Sequence, residues 1–303
     1  MKHNQLRALA AIAQHGSIRA AARSVFLSQP ALTKAIRELE QDLGVPLVSR
    51  SARGAQLTEY GQAVYARAKL ILAEMQHVRD DVLQLSGKTG GSVACAVTPL
   101  VSLKFLPRAI GSFRRRMPAT QLIVQEGFLQ GALPRLRDGS LDFVIAILDE
   151  SKLAPDFACQ RLLEAEVIIT ARQGNPFAQC TSIAELQNAD WVLNTTPESI
   201  GQSIQSFFVE HGLRSPRVVV ECSSFSATFS MSINSDMISC CPKSFMETDW
   251  IRERVVALPV REQLPRVTVG LITRRDALST PACDYLIDCF VAAARTATEP
   301  ATN

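Results

Sequence analysis

The chain has 303 residues, 47% of them apolar and 20% charged, a composition that excludes collagen-like, disordered and membrane-embedded proteins. Its length exceeds what one compact core organises and predicts two or three domains. The formal charge of +3 hides an asymmetry: residues 1–53 carry eight Lys and Arg against three acids, a net +5, which leaves −2 for the rest. A positive excess confined to one short segment points to a polyanionic partner for that segment.

No run approaches roughly eighteen consecutive apolar residues, so no membrane partner is expected. The start, Met1 to Leu6 followed by Arg7, lacks an apolar leader core, and the expected localisation is cytoplasmic. In that reducing compartment the eight cysteines are expected to be free thiols. They show no CxxC spacing, and His3, His15, His77 and His211 are scattered, so no metal is expected. Cys240 and Cys241 read as small buried hydrophobes on a strand rather than as a zinc or redox pair.

In chain order, a first helix is predicted from Asn4 to His15, with Leu6, Leu9 and Ile12 on one face. Gly16 ends it, and Ser17 caps a short second helix over Ile18 to Val25, whose Ala20 to Ala22 let another helix cross closely. Phe26-Leu27 forms a turn. Ser28 then caps a third helix, with Pro30 in its first turn. Leu32, Ile36, Leu39 and Leu43 form its apolar stripe, opposite Gln29, Thr33, Lys34 and Arg37. Two short helices joined by a tight turn, the second with a polar N-terminal half, make a helix-turn-helix. Gln29 is suited to adenine, Thr33 to a base edge or thymine methyl, and Lys34 and Arg37 to phosphate or guanine. An amphipathic helix merely solvated on its polar side is the competing reading.

After Gly44 to Leu47, the run Arg50-Ser51-Ala52-Arg53-Gly54 reads as a basic wing between two short strands. Arg53 is expected at phosphate or the minor groove, and Arg50 either there or in helix packing. Thr58 caps a long helix to Leu85. Its Val64, Ala68, Ile71, Met75, Val78, Val82 and Leu85 repeat at alternating spacings of four and three. That is a coiled-coil seam for a homodimer, or else a helix lying on its own core.

The residues 16–22, Leu27 to Thr33, Leu39-Glu40, Leu43-Gly44, Pro46 to Arg50 and Leu57 to Gly61 together resemble the N-terminal signature of LysR-type transcriptional regulators. Thr33 stands where that family commonly has serine, and Val48 where phenylalanine is usual. The resemblance implies that double-stranded DNA is bound through a winged helix-turn-helix, with Ser28, Gln29, Pro30, Thr33, Lys34, Arg37, Arg50 and Arg53 at the interface. It also implies a linker helix, a small-molecule effector domain, and assembly as a dimer of dimers, with RNA polymerase as a further candidate partner. The expected division is 1–58 for the DNA-binding domain, 59–86 for the linker helix, 87–91 for a hinge and 92–303 for the effector domain.

Gly87-Lys88-Thr89 mimics a phosphate loop, but valine occupies position 82 where the loop needs glycine, and a helix precedes it. Beyond the hinge, strands and helices alternate, which predicts α/β architecture with parallel sheets. Strands are predicted at Val93 to Val97, Gln121 to Gln125, Phe143 to Leu148, Val167 to Ile169, Val192-Leu193, Val218 to Val220, Met237 to Cys240 and Val267 to Ile272. Helices are predicted at Leu100 to Met117, Gly131 to Asp138, Gly201 to His211, Phe225 to Ile233 and around Cys289 to Ala294. The segment Gly127 to Ile147 also resembles the LysR effector domain, whose likeness to periplasmic binding proteins implies two lobes around a ligand cleft. By that likeness lobe I takes about 92–162 and 266–294, and lobe II about 163–265.

Open α/β sheets bind ligands beyond the carboxyl ends of their strands, where helix N-termini offer free N–H groups. Three such places carry hydroxyls: Thr98 with Pro99, Leu100 and Ser102; Thr195 and Thr196 with Ser199; and Ser223 beside Phe225. Ordinary N-capping is the competing role for each hydroxyl. Phe128 and Phe225 are candidates to pack a ring. The expected effector is a small organic acid, such as an aromatic carboxylate or sulfonate, and no other cofactor is expected. There is no GxSxG, HExxH or dinucleotide loop, and His211 lies at a helix end, so enzymatic chemistry is not expected. A transport solute-binding protein is disfavoured by the attached helix-turn-helix.

Overall fold

The computed structural model describes residues 1–51, 54–88 and 90–298, and the side chains of all of these except 50, 51, 297 and 298. The chain divides into two compact units, Met1–Gly91 with Arg135–Ser140, and Ser92–Pro134 with Leu141–Asn303.

The first unit opens with α1 (His3–His15), α2 (Ile18–Ser24) and α3 (Gln29–Leu43), followed by the hairpin β1 (Val48–Ser51) and β2 (Gly54–Leu57) and the long helix α4 (Glu59–Leu85). Leu9, Ile12, Ala21, Ala22, Leu32, Leu39 and Leu47 form its core. Alanine at 21 and 22 lets α2 pack closely, as its spacing in the chain suggests. Side chains acting on backbone fix the three entry points. Ser17 and Ser28 accept from Ala20 N and Ala31 N, and Thr58 accepts from Gly61 N. Glu40, on α3, accepts from both Leu47 N and Val48 N at 2.8 and 3.1 Å, so α3 itself anchors the start of the β1–β2 hairpin. Ala55 N donates to Gly16 O at 2.9 Å, tying β2 to the end of α1.

The second unit contains β3 (Ser92–Val97), α5 (Pro99–Lys104), α6 (Leu106–Arg116), β4 (Gln121–Glu126), all but the last three residues of α7 (Leu129–Arg137), and β5 (Phe143–Leu148). There follow β6 (Phe157–Arg172), β7 (Asp190–Leu193), α8 (Ile200–Glu210), β8 (Arg217–Glu221), α9 (Phe225–Asn234) and β9 (Ser239–Pro242). The last elements are α10 (Asp249–Arg252), β10 (Val255–Ala257), β11 (Arg266–Arg274) and α11 (Pro281–Thr298).

The expectation of parallel sheets holds only locally. β3 pairs in parallel with β4 and β5, and β7 with β8. β11 is antiparallel to both β5 and β6, and β9 and β10 are antiparallel to β6. The cause is β6. The predicted strand at Val167 to Ile169 is the end of a sixteen-residue strand, paired with β11 along its first part and with β9 and β10 along its last. Its first part, Phe157 to Glu166, alternates too little to announce itself, being part-exposed at most positions. β6 and β11 thus cross between two α/β lobes, one built on β3–β5 and the other on β7–β10.

The predicted helix from Leu100 to Met117 is two helices. Phe105 breaks the run at φ −112°, and Pro107, lacking an N–H, sits in the first turn of α6. The terminal helix is longer than expected, from Pro281. Trp191 meets Phe208 edge-on, with centroids 5.7 Å apart, at the heart of one lobe, as Phe143 meets Phe290 in the other.

Candidate DNA-reading face and ligand pocket

Gln29, Pro30, Thr33, Lys34 and Arg37 line one open surface of α3, together with Glu38 and Gln41. Burial of Leu32, Ile36 and Leu39 on the opposite side fixes that orientation. Ser28 Oγ accepts from Ala31 N, yet its own proton remains to donate. Lys34 lies 3.9 Å from Glu38, an exposed pair one helical turn apart that a phosphate outcompetes at small cost. Arg53 and the side chain of Arg50 lie outside the described residues. Glu38 and Gln41 carried no sequence expectation at this face, and neither did Glu40, which lies off it and holds the β1–β2 hairpin.

Along α4 the seven predicted seam positions divide. Ala68 is buried and Val64 half-buried, whereas Ile71, Met75, Val78, Val82 and Leu85 are exposed, Val82 by 65% and Leu85 by 79%. The expectation of a helix on its own core therefore describes the first turns, and an uncovered apolar stripe describes the remainder.

In the second unit, a cavity of about 800 Å³, counted out to its open mouth, lies between the two lobes. Its walls come from Thr98 and Pro99 at the end of β3, Phe128 to Gln130 at the start of α7, and Ile147 of β5. Opposite stand residues 192–194 and 196–201, Cys222, Phe225, Thr228, residues 240–242 and Phe245. Six of the ten expected effector contacts meet here: Thr98, Pro99, Phe128, Thr196, Ser199 and Phe225. Leu100 is instead buried in the lobe core, and Ser102, Thr195 and Ser223 do not line the cavity, Ser223 being exposed.

The hydroxyls are not equivalent. Ser199 Oγ donates to Asn194 O at 2.6 Å and accepts from Gln202 N, so it is spent on capping α8. Thr196 Oγ1 donates to Asn194 Oδ1 at 2.8 Å. Thr98 differs: it is 3% exposed and stands at the N-cap of α5 without a side-chain cap bond. Among the described residues, neither Thr98 Oγ1 nor Asn194 Nδ2 has a hydrogen-bond partner, though both atoms are buried. A buried polar atom left unpaired costs about 1–3 kcal/mol, which a ligand group accepting from it recovers.

Among the described residues lining the cavity there is no Lys, Arg or His, and Glu198 is the sole acid. Burial pushes the Cys241 thiol up to about 12 and Cys240 higher still, so both face the cavity uncharged at neutral pH. Cys240 and Cys241 lie on β9, a strand as expected, but both are part-exposed along the cavity rather than fully buried. Asn194, Gln130, Phe245 and the cysteines carried no local signal for this site, because only the tertiary fold brings them to Thr98.

Residues 3–62 match the model of the bacterial regulatory helix-turn-helix protein, lysR family, and residues 86–295 match that of the LysR substrate binding domain. The chain belongs to the LysR family. It is a LysR-type transcriptional regulator, with a helix-turn-helix DNA-binding domain and a substrate-binding effector domain. It is similar to the HTH-type transcriptional regulator TdcA of Escherichia coli (strain K12), 26% identical over 91% of this chain and 88% of that protein. It is also similar to the HTH-type transcriptional regulator PcaQ of Agrobacterium fabrum, 26% identical over 91% of this chain and 89% of that one. Among solved structures it shares its fold with CbnR, a LysR family transcriptional regulator, at TM-score 0.72 and 19% identity, covering 97% of this chain and 99% of that one. No helix among the described residues is long and apolar enough to cross a membrane.

Proposed function

We propose that this LysR-type regulator reads an operator as a homodimer and is controlled by a small organic acid held between the lobes of its effector domain. The observation that carries the ligand reading is the pair of unpartnered buried donors, Thr98 Oγ1 and Asn194 Nδ2, facing one cavity. Hydroxyl, amide and the first turn of α8 supply neutral donors to a carboxylate or sulfonate. Phe128, Phe225 and Phe245 take the apolar body, which favours an aromatic acid. With no cationic side chain in the lining and Glu198 present, a monoanion suits the cavity better than a dianion.

The division taken is 1–58 for DNA binding, 59–86 for the linker helix, 87–91 for the hinge and 92–303 for the effector domain. Lobe I is 92–162 with 266–294, and lobe II is 163–265. Ser28, Gln29, Pro30, Thr33, Lys34 and Arg37 meet the major groove, while Arg50 and Arg53 meet phosphate from the wing. The exposed stripe of α4 pairs with a second copy, and two dimers assemble on DNA. The solved complex of CbnR with its target DNA, 19% identical over 97% of this chain at TM-score 0.71, supports the DNA reading by likeness of fold. The regulator works on the chromosome and hence in the cytoplasm, with RNA polymerase as its downstream partner.

Ligand binding shifts the population of lobe angles, and with it the spacing and bend of the bound operator. The test is a thermal-shift screen of the purified chain against mono- and dicarboxylates, sulfonates and aromatic acids. A hit lost in Thr98→Ala and kept in Lys34→Ala supports the site. No hit among the acids, or a hit indifferent to Thr98→Ala, overturns it. An unchanged operator footprint and bend angle with the ligand bound overturns the population shift.

A further inference from the structure

Phe26 has a placement that folding alone does not account for. Its backbone is left-handed, at φ 60°, in the turn between α2 and α3. An L side chain there crowds its own carbonyl, and glycine is the residue that avoids the conflict. The turn leaves no choice of conformation, because Phe26 N donates to Arg23 O and Leu27 N to Ala22 O at 3.2 and 2.9 Å, closing the end of α2. The ring gains nothing in return. It is 93% exposed, the most exposed large hydrophobic side chain among those described. A strained backbone and a fully solvated phenyl ring together mark a residue whose partner lies outside the folded chain.

Position and charge identify that partner. Phe26 lies three residues before Gln29, so its Cα is within about 11 Å of the recognition helix's first residue. The N-terminal end of such a helix is the end that enters the major groove. The exposed run continues through Leu27, Pro30 and Ala31, an apolar tip beside exposed Arg19 and Arg23. No Asp or Glu occurs before Glu38. A rim of arginines free of acids favours a polyanion over a neutral or basic protein surface.

We infer that Phe26 is a DNA-contacting residue, its ring packing on deoxyribose C–H groups and a thymine methyl at the edge of the groove read by Gln29 and Thr33. The contact adds apolar area and shape recognition without neutralising a phosphate. It therefore changes affinity and leaves the number of displaced counterions alone.

The test uses the full-length chain and a duplex that the wild-type protein selects from a random pool. Failure to select any duplex would count against DNA reading as a whole and not against Phe26 in particular. Phe26→Ala and Phe26→Gly are each compared with the wild type for duplex affinity, salt dependence and thermal midpoint. Both variants are expected to bind about tenfold more weakly, with an unchanged slope of log affinity against log salt. Phe26→Gly is expected to melt at or above the wild-type temperature, because strain is relieved. Affinity equal to wild type in both variants overturns the proposal. So does a slope change of about one, which marks a lost ionic contact. Intact DNA binding with lost transcription in a reconstituted polymerase assay overturns it too, by giving the ring a protein partner.

Discussion

The candidate DNA-reading face draws Gln29, Thr33, Lys34 and Arg37 from nine consecutive residues of one helix, whereas the pocket draws Thr98, Phe128, Asn194, Phe225 and Cys241 from positions spread over 98 to 241. The first is exposed and charged, and the second is enclosed and without a cation among its described residues. A polyanion is met by side chains that reach out from a rigid helix, so spacing along the chain determines the site. A small ligand is met by convergence, and convergence belongs to the tertiary fold. Yet both regions use one device to start a key helix. A Cβ on Gly61, in the first turn of α4, would stand 2.0 Å from Leu47 O. One on Gly201, in the first turn of α8, would stand 2.2 Å from Asn194 O.

The largest expected effect breaks the symmetry of the DNA-reading unit and leaves the pocket intact. Val78→Asp with Val82→Asp places two carboxylates on the exposed stripe of α4, at positions 61% and 65% exposed in the single chain. The protomer's own fold loses little. Dimerisation is expected to fail in sedimentation equilibrium, with affinity for a two-half-site operator down by at least a hundredfold, about 2.8 kcal/mol. A dimer that persists at micromolar concentration would return this stripe to the status of a solvated helix face.

Next in size are the two glycines. Gly61→Ala and Gly201→Ala each force a methyl group into a backbone carbonyl, with an expected loss of about 2 kcal/mol in chemical denaturation. The consequences separate by region. Gly61→Ala is expected to depress operator binding and Gly201→Ala the thermal shift given by a ligand of the pocket. Equal damage to both functions by either variant would merge what the comparison keeps apart.

How much of this was legible beforehand follows the same division. The helices of the first unit, their caps at Ser17, Ser28 and Thr58, and the polar face of α3 stood in the sequence, because each rests on contacts within a few positions. Glu40 anchoring the wing did not, since a carboxylate reaching seven residues forward has no periodic mark. In the second unit the buried strand β5 was plain, as five of its six residues are buried. β6 was hidden by its part-exposed first half, and with it the antiparallel crossings that join the lobes. Thr98 was expected at the mouth of a cleft from its place after a strand, and it lines the cavity. Asn194 was not, because its role depends on an orphaned amide and not on residue type.

A smaller effect tests the kind of contact α3 makes. Gln29→Ala is expected to cost about 1.5 kcal/mol on the preferred operator and to relax the choice at one base pair. Lys34→Ala is expected to weaken binding evenly across sequences and to reduce the salt slope by about 0.9. Measuring both on a set of single-base operator variants divides base reading from phosphate contact. If Gln29→Ala left every base preference unchanged, this face would position the helix without reading sequence.

The smallest effect draws on a difference in composition: all eight cysteines lie at or after position 95, and residues 1–91 have none. Burial on β3, with the nearby Asp142 carboxylate, pushes the Cys95 thiol up to about 12. In the unfolded chain the same thiol titrates at roughly 8.5 to 9. A thiol held protonated by the fold contributes its stability fully below that unfolded value. As pH rises past it, the unfolded chain releases a proton that the folded one retains, and stability falls until about pH 12. At pH 10 the loss from one such group is about 1.4 kcal/mol. Cys95→Ala therefore lowers stability at pH 7 through lost packing, but by about 1.4 kcal/mol less at pH 10, so the two denaturation curves converge as the solution becomes alkaline. Parallel losses at both pH values would mean that Cys95 titrates in the folded chain as it does in the unfolded one, and that water reaches β3.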